Sequence, residues 1–342
     1  MQSRTKRHLS PADLDALLRA STGVGCRVEA ELTDGWFAAA YRVVLDDGRP
    51  AVVKLAPPPD APVLRYERGI TATEAKVYGR LAALLPGQVP TPELLYSGPE
   101  FVVLSVLDGT AWDKVADGLP PVTQDALRRE LGAVTARLHA LTAPDGRFGY
   151  PAPEAALSAP DWPTAFTAMV DALLQDAADA QDAAGAAPLT SPLDVPPAVI
   201  RALVAEGKGA LGEVTEPRLV HFDLWPGNVF VDVPGGGEGP RAPRITGIID
   251  HERAFWGDPV AELVSLAFGG DTGPDSDLVA GYTEAGGHLD FTPAVRHRLA
   301  LYRLYLGLLL VVECGPRGYV GDHLAFCRRT LAEAVAELRA LG

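Results

Sequence analysis

Four polar side chains have the types and the spacing that phosphoryl transfer requires. A His-x-Asp-x-x-x-x-Asn element contains His221, Asp223 and Asn228, and a later apolar run ends at Asp250. The Asp223 carboxylate can accept the proton of an attacking hydroxyl, and oxygens of Asn228 and Asp250 are the hard ligands that Mg²⁺ prefers. His221 is better suited to orienting the loop than to acting as a base. The alternative is that Asp223 and Asn228 simply form a turn around Pro-Gly, as these residue types often do.

A lysine and a glutamate upstream have the order expected of a phosphate-binding pair. Lys54 lies near the end of a β-branched run, residues 49–55, that follows an Asp-Asp-Gly turn signal. Glu74 lies in residues 73–81, which have helical periodicity. Each is an ordinary surface charge when taken alone. Their position before the Asp223 element favours an ion pair in which Glu74 holds Lys54 against nucleotide phosphates.

Residues 218–232 resemble the catalytic loop of the aminoglycoside phosphotransferase and fructosamine kinase families, and the later Gly-Asp-Pro of residues 257–259 is similar too. The resemblance implies an α+β, bilobal protein-kinase-like fold with a small β-rich N-terminal lobe and a larger, mainly helical C-terminal lobe. It implies Asp223 as the base, Asn228 and Asp250 as Mg²⁺ ligands, and ATP as the donor, with GTP possible. Phe222 stands where protein kinases carry arginine and many phosphotransferases carry glycine.

Two further nucleotide-binding segments follow from the same resemblance. Residues 33–40 form a turn with one glycine, Gly35, between two strand-like runs, and we assign it as the loop over the phosphates. It contains neither G-x-G-x-x-G nor a Walker pattern, so a plain hairpin is the alternative. The apolar run of residues 101–107 would end at the hinge, where backbone groups from Ser105 to Leu107 bind the adenine.

Acidic residues are candidates for binding the acceptor. Glu252, two positions after Asp250, could orient the metal or meet a cationic substrate. Asp171 and Asp176 belong to a helical stretch, residues 161–182, with clustered carboxylates, and in the resembled family helices in this part of the chain build the acceptor pocket. A solvated acidic face is the alternative for all three. Asp258, just before Pro259, is interpreted as a helix cap.

The remaining histidines and cysteines are not expected to form a site. His139, at the end of an amphipathic helix, is interpreted as a packing or capping residue. The chain has seven histidines and three cysteines with no paired metal-ligand spacing, so no structural zinc site is expected.

Length and composition are consistent with two lobes and a soluble enzyme. A chain of 342 residues exceeds what one core usually serves, and we place the nucleotide-binding lobe at residues 1–107 and the catalytic and acceptor-binding lobe at residues 108–342. A net charge of −14 argues against nucleic acid and anionic membranes and favours a cationic acceptor. We expect no signal peptide, no membrane span and a cytoplasmic location. The sequence leaves open whether the chain is a monomer or a dimer.

We therefore expect an ATP-dependent kinase that phosphorylates a hydroxyl of a small molecule, most simply an aminoglycoside or other cationic antibiotic, and so confers resistance. Fold-level analogy alone does not identify the acceptor. One alternative is a fructosamine-type kinase, because the Asp-Leu-Trp-Pro-Gly-Asn of residues 223–228 closely resembles that group. An alternative of another class is a nucleotide-binding pseudokinase, although a protein that only binds nucleotide has no need of a base at Asp223.

Overall fold

A small lobe of antiparallel strands precedes a larger, mostly helical lobe, which confirms the predicted α+β, protein-kinase-like fold. The computed structural model describes residues 3–35, 37–182, 193–233 and 242–341. The chain leaves the sheet of the first lobe after Ser105 and enters a sheet of the second at Thr110. The proposed boundary between residues 107 and 108 falls in this connection and stays a prediction.

The small lobe is a five-stranded antiparallel sheet with one helix before it and one within it. Its elements in chain order are α1 (Pro11–Thr22), β1 (Cys26–Leu32), β2 (Ala39–Leu45), β3 (Pro50–Leu55), α2 (Ile70–Leu84), β4 (Leu94–Gly98) and β5 (Phe101–Ser105). The order across the sheet is β1-β2-β3-β5-β4, so β3 is the central strand. Alternate residues of β2 and β3 are buried, as the apolar alternation of these strands requires.

The large lobe packs helices around short strands that carry the site. Its helices are α3 (Pro121–Leu138), α4 (Trp162–Asp182), α5 (Pro197–Glu206), α6 (Lys208–Leu211), α7 (Leu263–Leu266), α8 (Asp277–Glu284), α9 (Pro293–Arg317) and α10 (Asp322–Leu341). Its strands are β6 (Thr110–Ala111), β7 (Phe148–Gly149), β8 (Ser158–Ala159), β9 (Arg218–Val220), β10 (Val229–Asp232), β11 (Arg244–Ile248) and β12 (Phe255–Gly257). They form two sheets, ordered β11-β10-β6 and β8-β7-β12-β9.

Strands β10 and β11 form the antiparallel hairpin expected between the two halves of the candidate site. The Pro-Gly-rich tip that we expected between them, residues 234–240, lies outside the described residues. Strand β9 ends just before His221, and β11 ends just before Asp250. The two loops that carry the predicted polar residues therefore leave neighbouring parts of the same core.

Helices α3 and α8 approach each other at two glycines. A Cβ atom on Gly132 would lie 1.9 Å from the carbonyl oxygen of Leu278, and one on Gly281 would lie 1.8 Å from that of Arg129. Both distances are well inside van der Waals contact, so neither position has room for a side chain. This close packing fixes α3 against the helical lobe.

Helix α9 is the feature that bears on the expectation of no membrane span. By length and composition it could do so, with a mean hydropathy of 1.5 over its most apolar window, but 83% of that window is buried within the protein. Tyr302 and Tyr305 of this helix pack with Trp162, Phe166 and other aromatic rings of the core. Its apolar character is thus explained by its place at the centre of the lobe.

The hairpin of α9 and α10 corrects the expectation that the histidines and cysteines have no paired metal-ligand spacing. Cys314 near the end of α9 meets His323 and Cys327 of α10, and their ligand atoms all lie within 4.8 Å of one another. The spacing His-x-x-x-Cys places His323 and Cys327 on one face of a helix, which is the signal that we overlooked. Cys314 joins this pair only through the packing of α9 against α10, which the sequence does not show.

Candidate active site

Lys54 of β3 lies between three carboxylates at the junction of the lobes. Its ammonium donates to Glu74 of α2 at 2.9 Å, to Glu252 at 3.2 Å and, at very short range, to Asp250. The ion pair expected between Lys54 and Glu74 is therefore present. Two further acidic residues, brought from the far end of the chain, share the same lysine.

Burial and mutual charge determine how these groups ionise. Burial alone would lower the pKa of Lys54, but Asp250, Glu252 and Glu74 raise it well above its ordinary value. Lys54 holds the pKa of Asp250 below its ordinary value in spite of burial. Burial raises the pKa of Glu252 to about 8, against the effect of Lys54 and with the help of Asp250 and Glu74. The Lys54 ammonium thus stays charged, and Glu252 is the carboxylate that most readily takes up a proton.

Asp223 and Asn228 are linked directly in the loop after β9. The Asn228 side-chain amide donates to the backbone oxygen of Asp223 at 2.9 Å and to its carboxylate at 3.1 Å. Burial raises the pKa of Asp223, while Arg253 opposes that rise. The Asp223 side chain nevertheless remains 24% exposed. A partly desolvated carboxylate with a raised pKa that still reaches solvent has the properties of a general base.

His221 orients this loop, in agreement with its sequence interpretation. Its Nε2 donates to the backbone oxygen of Ile249 at 2.9 Å, and its Nδ1 accepts the backbone N–H of Asp223 at 3.2 Å. The backbone N–H of Ile249 in turn donates to the backbone oxygen of Asn228 at 3.0 Å. These bonds join the loop of Asp223 to the residue before Asp250, so the two carboxylates are positioned together.

Glu262 is a buried residue that sequence reasoning missed. Its two carboxylate oxygens accept the backbone N–H groups of His221 at 2.6 Å and Phe222 at 2.8 Å. Burial would raise the pKa of Glu262, but hydrogen bonding and charge at His139 and His221 hold it below its ordinary value. His139 also contacts the Tyr282 hydroxyl at 2.9 Å, so it is a packed histidine, as interpreted from the sequence.

Phe222 adopts a backbone conformation that favours glycine. Its φ is 63°, in the left-handed region, which costs a residue with a side chain about 1–2 kcal/mol. The ring is buried and packs against Phe255 and Tyr305, with centroids 5.1 and 5.5 Å away. The glycine found here in many relatives of the resembled families is therefore explained by φ, and this chain compensates with ring packing and with Glu262.

Arg253 is a second residue that the sequence analysis did not identify. Its guanidinium lies 3.9 Å from the Asp223 carboxylate and 2.9 Å from Glu313 of α9. Glu313 also pairs with Arg317, which binds Glu67 at 2.7 Å. A buried chain of alternating charges thus runs from α9 to the candidate base. The available signal was Glu313 itself, a charge within the apolar stretch of α9.

The residues at this cleft fit a divalent cation. One ammonium, that of Lys54, faces the three carboxylates of Glu74, Asp250 and Glu252, so the group carries an excess of negative charge. In the described part of the chain, the Asn228 side chain forms hydrogen bonds only through its amide nitrogen, which leaves its side-chain oxygen as a ligand. Asp250 and Asn228 would hold Mg²⁺, because both offer hard oxygen atoms.

The structure supports the predicted hinge more than it supports the predicted loop over the phosphates. The backbone N–H of Ser105 is already bonded to the Glu93 oxygen at 2.9 Å. Leu107 makes no backbone hydrogen bond with any described residue, so it is the better hinge candidate. Gly35 is exposed in the turn between β1 and β2, where a Cβ would approach nothing closer than 3.8 Å, so steric room does not require glycine. Its role over the phosphates stays a prediction.

The acidic residues of α4 already have partners. Asp171 pairs with Arg201 at 2.7 Å, and Asp176 binds both the backbone and the guanidinium of Arg65. Their proposed role in binding the acceptor remains a prediction. It now requires Asp171 and Asp176 to leave these arginines in order to bind the acceptor. Asp258 caps the turn at Pro259 through Val260 N–H at 3.1 Å, which agrees with its structural interpretation.

Comparison with known proteins agrees with this arrangement. The profile of the phosphotransferase enzyme family matches residues 29–302. A protein described as a candidate fructosamine-3-kinase from Thermobifida fusca YX-ER1 is 23% identical, with a TM-score of 0.63, over 96% of this chain and 98% of its own.

Two antibiotic phosphotransferases are similar at lower identity. A thermostable mutant of aminoglycoside phosphotransferase APH(4)-Ia, in ternary complex with AMP-PNP and hygromycin B, is 19% identical with a TM-score of 0.61 over 95% of this chain and 98% of its own. The macrolide 2'-phosphotransferase MphH from Brachybacterium faecium is 21% identical with a TM-score of 0.55 over 94% and 98% of the two chains. Such similarity establishes the fold.

Proposed function

The chain belongs to the phosphotransferase enzyme family, and from this premise we propose that it transfers the γ-phosphoryl group of ATP to a hydroxyl of a small molecule. The observation that carries the proposal is the meeting of Lys54, Glu74 and Asp250 at one cleft. Hydrogen bonds of the His221 side chain and of the Ile249 backbone join this cleft to the Asp223 loop. Phosphoryl transfer depends mainly on positioning and on charge stabilisation, and these residues supply both.

The chain's own residues have separate roles in this reaction. Asp223 orients the acceptor hydroxyl and takes its proton as the oxygen bonds to the γ-phosphorus and the bond to the β-phosphate oxygen breaks, releasing ADP. Lys54, anchored by Glu74, binds phosphate oxygens. Asn228 and Asp250 would hold Mg²⁺, which when bound would supply positive charge to the phosphate oxygens.

For the acceptor we propose a hydroxylated, amine-bearing antibiotic, whose phosphorylation would confer resistance. Support comes from the net charge of −14, which attracts cations, and from the neighbours solved with hygromycin B and, in another case, streptomycin. A fructosamine-type acceptor is the second candidate, favoured by residues 223–228 and by the similar protein from Thermobifida fusca. Both acceptor classes combine a sugar hydroxyl with an amine.

We place the enzyme in the cytoplasm. Its three cysteines are free thiols, which suits a reducing compartment.

The test is nucleotide consumption with Mg²⁺ against a panel of aminoglycosides, macrolides, nucleoside and peptide antibiotics and fructosamines, using ATP and then GTP. We expect one acceptor class to give turnover that falls by at least about 1,000-fold in Asp223→Asn, as loss of a catalytic base predicts. Asp117→Asn, an exposed aspartate, is the matched control and should retain full activity.

Nucleotide binding should survive in Asp223→Asn, because the role proposed for that side chain is with the acceptor hydroxyl and not with the nucleotide. Turnover that persists at the wild-type rate in Asp223→Asn would refute the assignment of the base. Nucleotide binding without turnover of any acceptor, by wild type and mutant alike, would support the pseudokinase.

A further inference from the structure

We propose that Cys314, His323 and Cys327 form a binding site for a single Zn²⁺ ion between the last two helices. The three residues lie on α9 and α10, in the part of the chain after the residues assigned to phosphoryl transfer. Thiolate and imidazole are the ligand types that zinc prefers in proteins.

The distances between the ligand atoms match those of a tetrahedral zinc centre. Bonds of about 2.3 Å to sulfur and about 2.05 Å to nitrogen place two sulfurs about 3.8 Å apart, and a sulfur about 3.6 Å from a nitrogen. The Sγ atoms of Cys314 and Cys327 are 3.9 Å apart, and Cys327 Sγ lies 3.6 Å from His323 Nε2. Two of the three distances between the ligand atoms thus already agree with one face of the tetrahedron, and the third, between Cys314 Sγ and the His323 ring, is within 4.8 Å.

The surroundings suit a mostly buried site with three protein ligands and one position open to solvent. Cys314 and Cys327 are fully buried, and His323 is partly exposed, so the open side of the cluster is the histidine side. Two thiolates and a neutral imidazole balance the charge of Zn²⁺, so occupancy adds no net charge to the core. A water molecule on the histidine side would complete the coordination, because no fourth His, Cys, Asp or Glu joins the group among the residues that the structure describes.

The positions of the ligands in the chain indicate that the ion would cross-link the two helices. Cys314 and Cys327 are 13 positions apart and flank the turn between α9 and α10, so the metal would close this turn. Glu313 directly precedes Cys314 and binds Arg253, the neighbour of Asp223. We infer that zinc holds the end of α9, and with it the charged residues that reach the active site.

The experiment measures zinc in the full-length protein, purified with a non-thiol reductant and stripped of loosely held metal by dialysis. We expect about one zinc per chain in wild type and in Cys26→Ala, which removes the third cysteine from the small lobe. Cys314→Ala and Cys327→Ala should lose the ion, with affinity lower by more than about 100-fold, beyond the 10–100-fold effect of removing only an outer partner of a ligand.

Substitution with Co²⁺ tests the site without relying on a cysteine mutant that folds poorly. The wild-type protein should show the intense visible absorption of tetrahedral cobalt–thiolate coordination, and His323→Ala should weaken and shift it. Zinc should also raise the Tm of wild type and Cys26→Ala but not that of Cys327→Ala.

Two results would overturn the proposal. One is zinc held equally by wild type, Cys314→Ala and Cys327→Ala, which would indicate adventitious binding elsewhere. The other is a reduced wild-type protein that retains no zinc and shows no cobalt spectrum. If that protein then forms a Cys314–Cys327 disulfide in air, the pair is a redox-active dithiol instead.

Discussion

The guanidinium of Arg253 lies 3.9 Å from the Asp223 carboxylate while it pairs at 2.9 Å with Glu313. Arg253 is therefore shared between the candidate base and the central helix of the large lobe. Its charge opposes the rise in the Asp223 pKa that burial causes. The position of Arg253 thus depends on α9, and the environment of Asp223 depends on Arg253.

Arg253→Gln should lower the free energy of unfolding by about 3 kcal/mol, because it removes one partner from a buried ion pair and leaves Glu313 less compensated. Chemical denaturation measures this effect. Arg129→Gln is the matched control, since Arg129 pairs with Asp277 and Glu284 at the exposed surface, and it should cost less than about 1 kcal/mol. Equal losses in the two variants would contradict the buried role of Arg253.

Glu262→Gln should cost about 3 kcal/mol at neutral pH, since the amide cannot accept both backbone N–H groups as the carboxylate does. The folded state holds the pKa of Glu262 below its ordinary 4.5, so its stabilisation is fully present above that pH. It is lost as the pH falls through the folded pKa. The stability difference between wild type and Glu262→Gln, measured by denaturation from pH 7 downwards, should therefore shrink below pH 4.5.

If the stability difference between wild type and Glu262→Gln stays constant down to the lowest pH at which the protein folds, the charge of Glu262 does not contribute to stability. Turnover by Glu262→Gln should also fall, because the Asp223 loop loses its anchor. Nucleotide affinity should change little.

At position 222, glycine should be tolerated better than alanine. Both Phe222→Gly and Phe222→Ala lose the packing of the ring, at a cost of about 3–5 kcal/mol. Glycine adopts the φ of 63° freely, whereas alanine pays about 1–2 kcal/mol there, so Phe222→Gly should be the more stable variant by thermal denaturation.

In a helix the preference is reversed, and alanine is more stable than glycine. The variant Ala133→Gly in α3 provides this comparison. That change should destabilise the protein by about 1 kcal/mol, since glycine is unfavourable inside a helix. If Phe222→Ala proves more stable than Phe222→Gly, the left-handed backbone at this position is not retained in solution.

Glu74→Gln should raise the KM for ATP by about tenfold, equivalent to about 1.4 kcal/mol, with a smaller change in kcat. The lysine keeps Asp250 and Glu252 as partners but loses a charged anchor on α2. Steady-state kinetics with varied ATP measure this split. The opposite pattern, an unchanged KM with a large loss of kcat, would place Glu74 in the chemical step.

Local patterns, together with the family resemblance, predicted which polar residues meet at the candidate site. Asp223 and Asn228 stand five positions apart in one loop, and Lys54 and Glu74 occupy a strand and the helix that follows it, so their spacing indicates their chemistry. The alternation of β2 and β3 likewise predicted the sheet. Such signals are encoded within single elements, where periodicity and turn residues are visible in the sequence.

The residues that sequence reasoning missed depend on contacts between distant elements. Arg253 and Glu313 are 60 positions apart, and Glu262 reaches His221 across 41 positions. In the sequence, a charged residue that is buried in the fold cannot be distinguished from a surface residue until its partner is known. The same holds for Cys314, whose partners lie on the next helix and whose meeting with them depends on how α9 and α10 pack.

The contact of Lys54 with Asp250 joins β3 of the small lobe to the loop after β11 in the large one. The Asp250 carboxylate that pairs with this lysine is also the one proposed to hold the metal. Under the proposed function, phosphates would compete for the lysine and the accompanying metal would compete for the carboxylate. Binding of the metal–nucleotide complex would then replace one ion pair between the lobes by two new contacts, one made by each lobe.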